Sequence, residues 1–168
     1  MNIHITSSVG TGPTTLAAFD QALFNAGIAN YNLLRLSSVV PPATVLTQHQ
    51  KSGIPTEIMP GQWGDRLYVV MAEQREATHN AEAWAGIGWV QDAESGKGLF
   101  VEHEGSSEAA VRSDITESLT ALMKTRNIDL GPINMQVVGQ TCTDDPICSM
   151  VVAIYQASDW DNVAGFIK

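Results

Sequence analysis

The chain has 168 residues, 44% of them hydrophobic and 16% charged, which fits a single globular domain spanning 1–168 and excludes a disordered or fibrous chain. Nine Lys and Arg stand against eighteen Asp and Glu, and the formal net charge of −9 sets up a field that repels nucleic acid and anionic membrane surfaces. No apolar run approaches the ~20 residues that span a bilayer, and MNIHITSSVG has no basic stretch followed by an apolar one, so the expected location is cytoplasmic.

Asn2 to Ser7 predicts a first strand, with Ser7-Ser8 leading into a glycine-rich turn over Gly10, Thr11, Gly12 and Pro13. A helix then starts near Thr14 or Thr15, either of which can cap it, and Gly27 supplies the stop. Leu16, Phe19, Leu23 and Phe24 form its expected apolar stripe. Asp20 falls on that stripe, where a carboxylate is costly unless a protein donor or a ligand cation meets it.

Tyr31 to Leu36 predicts a second strand, ended by Ser37-Ser38 and by Pro41-Pro42, which cannot extend a ladder. Residues 43–65 read as loop, with Gly53, Pro55, Pro60, Gly61 and Gly64. Arg66 to Glu73 predicts a strand, and Glu82 to Val90 and Gly98 to Glu104 predict two more joined by a turn over Asp92 to Lys97. Ser107 to about Arg126 predicts the longest helix, with Val111, Ile115, Leu119 and Leu122 on one face and Ser106 or Ser107 as cap. Ile133 to Cys142 and Ile147 to Gln156 predict a closing hairpin around Asp144-Asp145-Pro146. Two helices among many strands indicate an α+β fold in layers.

Few motifs carry chemistry on their own. GTGPTT, Gly10 to Thr15, feeds a helix N-terminus as a phosphate loop does, but it lacks the Walker lysine and any complete dinucleotide fingerprint. His4, His49, His79 and His103 have no metal-site spacing, and Cys142 and Cys148 lack further ligands nearby, so no metal is expected and the two thiols are expected to be reduced. The pair Ser37-Ser38 is different. Ser106-Ser107 has a helix to cap, whereas Ser37-Ser38 sits where a strand should finish on Val or Ile. It ends the strand, or the peptide bond between the two serines is itself the reagent.

The stretch TTLAAFDQALFNAGIANYNLLRLSSVVPP resembles the cleavage region of pyruvoyl-dependent arginine decarboxylases, where an AFD…LxNAGIxNxNLxxxSSxxPP pattern surrounds a self-cleaving serine pair. GLFVEHEG, Gly98 to Gly105, resembles the second block of that family, an apolar strand ending in Glu. Ala29 stands where the family usually has Gly, and His103 where an aromatic Tyr is common. The resemblance implies a four-layer αββα sandwich and a trimer of cleaved protomers with active sites between subunits.

It also implies a chemistry. Decarboxylation of an amino acid needs an electron sink of the kind pyridoxal phosphate supplies, and a chain lacks a good electrophile of its own. Attack of Ser38 Oγ on the Ser37 carbonyl replaces the amide by an ester, elimination leaves dehydroalanine, and hydrolysis yields a pyruvoyl group and ammonia. The products are chains 1–37 and 38–168, with no pyridoxal phosphate and no metal required. A substrate amine then forms a Schiff base with the keto carbon.

By the same resemblance Ser38 is the pyruvoyl precursor and Ser37 the residue before the cut. Asn32 assists processing as a donor to the scissile carbonyl. Glu102 is the acid that protonates the α-carbon after CO2 leaves. Asp20 binds the substrate guanidinium, and Leu16, Leu23 and Val39 line the pocket. Read from the residues alone, plainer alternatives stand beside these roles: Glu102 as an ordinary solvated strand-end carboxylate, and Asp20 paired with Arg35 or Arg66 inside the fold. The function implied is conversion of the small-molecule substrate L-arginine to agmatine and CO2, an activity associated with polyamine biosynthesis. The rival readings are the same chemistry on another amino acid, or an uncleaved binding homologue.

Overall fold

The structure is a computed structural model that describes residues 1–49, 53–54, 59 and 61–160. The elements run β1 (Asn2–Thr11), α1 (Thr15–Ala26), β2 (Asn32–Arg35), β3 (Val39–Val40), β4 (Val45–Gln48), β5 (Arg66–Glu76), β6 (Glu82–Gln91), β7 (Gly98–Gly105), α2 (Glu108–Arg126), β8 (Asn134–Thr141) and β9 (Ile147–Ser158). They form one five-stranded sheet ordered β2-β5-β9-β1-β4 and one four-stranded sheet ordered β3-β7-β6-β8.

Three apolar cores separate four layers. Under α1, Ala18, Ala22 and Leu23 meet Leu67, Val69, Met71, Met150 and Val152 of the five-stranded sheet. Between the sheets, Ile3, Ile5, Val70, Val151 and Tyr155 meet Ile87, Trp89 and Phe100. Under α2, Val111, Ile115 and Leu119 are fully buried against Val90, Leu99 and Val101. Each such aliphatic side chain contributes about 1.5–3 kcal/mol over its exposed state. The αββα sandwich is the observed architecture.

Local chemistry sets both helices. Thr14 caps α1 by accepting from Ala17 N at 3.1 Å, and Gly27 ends it at φ 83, a left-handed position that glycine adopts without a Cβ penalty. Ser107 caps α2 by accepting from Ala110 N at 3.2 Å, and Lys124 and Arg126 in its last turn complement the helix dipole.

Several expectations are corrected. Strand β1 does not stop at Ser7 but runs through the expected turn to Thr11, paired with β9 down to Thr11 and Ile147. Gly10 is needed there for another reason: a Cβ on it would lie 2.3 Å from Ala18 O, so its absence lets α1 rest directly on the strand. The apolar residues of α1 divide, with Leu23 buried but Leu16 66% and Phe24 69% exposed, because the small residues Ala18, Ala22 and Ala26 make the contact with the sheet. The stretch read as loop contains β4, parallel to β1; Pro55 and Pro60 lie outside the described residues.

The closing hairpin does not form. Strand β8 pairs with β6 and β9 with β1 and β5, in different sheets. Nearly all of β9 is buried, which suits a central strand, whereas β8 is half-buried and occupies an edge. The turn at Asp144-Asp145-Pro146 carries the chain between the sheets, and Cys142 and Ile147 close it over Ala83.

Candidate active site

Ser37 and Ser38 lie where the chain changes sheets. Strand β2 pairs in parallel with β5, and its last tie to that sheet is Leu36 N–H donating to Val69 O at 2.8 Å. Two residues later β3 pairs antiparallel with β7 in the other sheet, Val39 opposite Leu99 and Val40 opposite Gly98. The serine pair makes this crossover between the last β2 tie and the first β3 pair, and Pro41-Pro42 ends the short β3.

The crossover turns at Ser38, whose φ is 64. That left-handed conformation is uncommon for a residue with a Cβ and costs of order 1–3 kcal/mol, so surrounding contacts must hold it. Phe100 N–H donates to Ser38 O at 2.8 Å. Tyr155 OH, reaching across from β9, donates to Val39 O at 3.0 Å. The Ser38 hydroxyl donates to Glu102 Oε1 at 2.5 Å, a short charge-assisted contact.

Strand alternation explains how Glu102 gets there. Phe100 is buried in the core between the sheets, and Glu102, two residues on, projects to the same side. Tyr155 shares that core, its ring edge-on to Phe100 at 6.2 Å between centroids. Burial, and secondarily the Glu102 charge, pushes the Tyr155 phenol above its ordinary pKa, so it stays a hydrogen-bond donor.

Ser37, Ser38, Val39 and Glu102 line a cavity of about 490 Å³ at the edge of β7. Leu99, Val101, Ala121 and Leu122 supply an apolar wall, and His103, with Nε2 2.8 Å from Ser118 Oγ, and Arg126 complete it toward α2. A carboxyl group, a hydroxyl hydrogen-bonded to it and a mostly apolar wall around one left-handed turn can support acyl transfer to Ser38 and proton transfer at an adjacent carbon. These residues also fit a carbonyl group built at position 38, since the cavity opens at that position and Glu102 faces it.

The protomer gathers only part of the expected constellation. Asp20, Leu16 and Leu23 are on α1, on the outer face of the five-stranded sheet, and none of them lines the Ser38 cavity. Leu23 is buried beneath that helix, 8% exposed. Asp20 is exposed between Leu16 and Phe24, and no hydrogen bond or ion pair reaches it among the described residues. It therefore does not pair with Arg35, which meets Glu73 at 3.6 Å, or with Arg66, which donates to Asp159 O and stacks on Trp160. Asn32 is exposed at the start of β2, with its amide donating to Gly64 O rather than to the Ser37 carbonyl. Tyr155 and Ser118 were not foreseen, because no local pattern shows that β9 and α2 reach this crossover.

The sequence model of the family described as pyruvoyl-dependent arginine decarboxylase matches residues 2–159. A Halobacterium salinarum protein named pyruvoyl-dependent arginine decarboxylase is 32% identical over 163 residues, covering 94% of this chain and 95% of that protein. Proteins of the same name from Thermoplasma volcanium and Thermococcus kodakarensis are 33% identical over 123 residues and 29% over 157, covering 72% and 89% of this chain and 65% and 91% of theirs.

Proposed function

This chain belongs to the pyruvoyl-dependent arginine decarboxylase family, and we propose that it is a self-processing carboxy-lyase that converts L-arginine to agmatine and CO2. The observation that carries this reading is Ser38, bent into the left-handed region with its hydroxyl on the Glu102 carboxylate.

In processing, Ser38 Oγ bonds to the Ser37 carbonyl carbon, the amide C–N bond breaks, and the hydroxyl proton passes to the freed amine. Loss of the Ser38 α-proton then breaks the Cβ–Oγ bond, leaving the Ser37 carboxylate as the end of chain 1–37. Water replaces the amine at position 38 and ammonia leaves. The pyruvoyl group so formed supplies the carbonyl that condenses with the substrate amine and takes up the electron pair released with CO2. Glu102 holds the proton that returns to the α-carbon from the same side of the cavity. The apolar wall of Leu99, Val101 and Leu122 disfavours a charged carboxylate and so favours its loss.

Asp20 and Asn32 complete the site from a neighbouring copy of the chain, in a trimer of cleaved protomers. Support comes from the stripe that surrounds Asp20: Leu16 and Phe24 are exposed apolar residues at helical spacing, and Val39 beside the cut is 56% exposed. Exposed apolar surface of this kind marks an interface. An unpartnered carboxylate at its centre suits the fork of a guanidinium. No helix among the described residues is long and apolar enough to cross a membrane, and Cys142 and Cys148 are free thiols, which suits a cytoplasmic enzyme. The test is the intact mass of the purified protein together with release of CO2 and agmatine from arginine; an uncleaved, fully active chain overturns the reading.

A further inference from the structure

We infer that Tyr155 is a positioning residue for self-cleavage, holding the backbone after the cut so that Ser38 stays in its left-handed turn. This rests on the self-processing reading above.

Attack of Ser38 Oγ on the Ser37 carbonyl carbon closes a five-membered ring through the Ser38 nitrogen and α-carbon. Closure requires the β-carbon to lie near that carbonyl carbon in rotation about the N–Cα bond. For an L-residue in an ordinary strand or helix the two stand roughly 100–180° apart, and the hydroxyl cannot reach. At the φ of 64 found for Ser38 they stand roughly 60° apart, within range of a puckered ring. The conformation that is unfavourable for the backbone is the one the acyl shift needs.

Two contacts fix it. Phe100 N–H holds Ser38 O at 2.8 Å as part of the sheet, and Tyr155 OH holds the next carbonyl, Val39 O, at 3.0 Å. With both carbonyls tied, the peptide planes after the cut cannot swing, and the change of direction must be made at Ser38. The Phe100 contact belongs to the four-stranded sheet, while Tyr155 comes from β9 of the other, so the phenol is the strut across the gap the chain jumps. Tyr155 is 9% exposed and packed edge-on to Phe100, so its ring is anchored independently of the hydroxyl. The Tyr155→Phe variant can therefore keep the packing and lose only the donor.

Precursor is collected after brief cold expression, and conversion to chains 1–37 and 38–168 is followed by intact mass, with Ser38→Ala as the uncleaved control. Cleavage of Tyr155→Phe is expected to slow roughly three- to ten-fold, the effect of one net neutral hydrogen bond on a rate. Cleavage trapped with hydroxylamine, which intercepts the ester, should fall in the same proportion, with the melting temperature lowered by only about 2–4 °C. Placing 4-aminophenylalanine at position 155 restores an N–H donor and should return the rate toward wild type, which a purely structural role would not require. Wild-type kinetics in Tyr155→Phe, or no rescue by the amine, overturns the role of Tyr155 and leaves self-processing standing. Wild-type protein that never cleaves removes both.

Discussion

Ser38 and Glu102 are sixty-four residues apart in the chain, and their side chains meet at 2.5 Å. Ser38 reaches that contact through a left-handed turn between two sheets, and Glu102 through the inward phase of β7. The contact joins the bond to be cut with the group proposed to handle the proton afterwards, so the two stages can be separated by mutation.

Maturation is the first expectation. Cleavage before Ser38 yields chains of 37 and 131 residues, roughly 4 and 14 kDa, in place of the 18.0 kDa precursor. Ser38→Ala should run as one inactive chain. Mass spectrometry of both proteins decides the matter, and a wild type that stays whole while turning over arginine contradicts it.

Glu102→Gln should still be processed, because an amide oxygen can accept the Ser38 hydroxyl as the carboxylate does. Turnover of the processed variant should drop by ~10²–10⁴, the usual effect of removing a general acid. The check is kcat per cleaved chain, and an unchanged value removes Glu102 from the chemistry.

Among the described residues Asp20 has no hydrogen-bond or ion-pair partner, so Asp20→Asn should leave the melting temperature nearly unaltered. If it receives the substrate guanidinium from a neighbouring subunit, kcat/KM for arginine should fall roughly ten- to a hundred-fold, chiefly through KM. Arginine should be preferred over lysine and ornithine, whose ammonium groups cannot make the paired contact. A preference for a neutral or acidic amino acid would refute the assignment while leaving the pyruvoyl chemistry possible.

Gly10→Ala tests the approach of α1 to β1. Its Cβ would sit 2.3 Å from Ala18 O and 2.4 Å from Ala22 N, both backbone atoms that cannot turn aside. Overpacking of this kind costs ~1–3 kcal/mol or more, so a clear drop in denaturation midpoint is expected. A midpoint matching wild type would mean that the helix shifts freely.

Cys148 should be inert in the folded protein. Burial, reinforced by the neighbouring Glu73 carboxylate, pushes its thiol up to about 12, so almost no thiolate exists near pH 8. Labelling by a thiol reagent should await unfolding, and fast modification of Cys148 in native protein would contradict the burial.

Much of the site was legible in the sequence because its signals are local. Thr14, Gly27 and Ser107 mark helix ends through contacts with residues three or four positions away, so both helices could be placed from the chain alone. The spaced pattern around Ser37-Ser38 and the strand that carries Glu102 likewise carried their meaning in short stretches. Which strands share a sheet is another kind of fact. Strands β8 and β9 look like a hairpin because five residues separate them, yet each pairs with strands far away in sequence; a turn of that length can equally join two layers. The outward turn of Leu16 and Phe24 was hidden for the same reason, since helical spacing puts apolar residues on one side without saying whether that side or the alanine side meets the sheet. Tyr155 carried no signal at all. Its position over Val39 exists only because the five-stranded sheet stacks on the four-stranded one, and that stacking is fixed by the sum of three apolar cores, not by any residue near the cut.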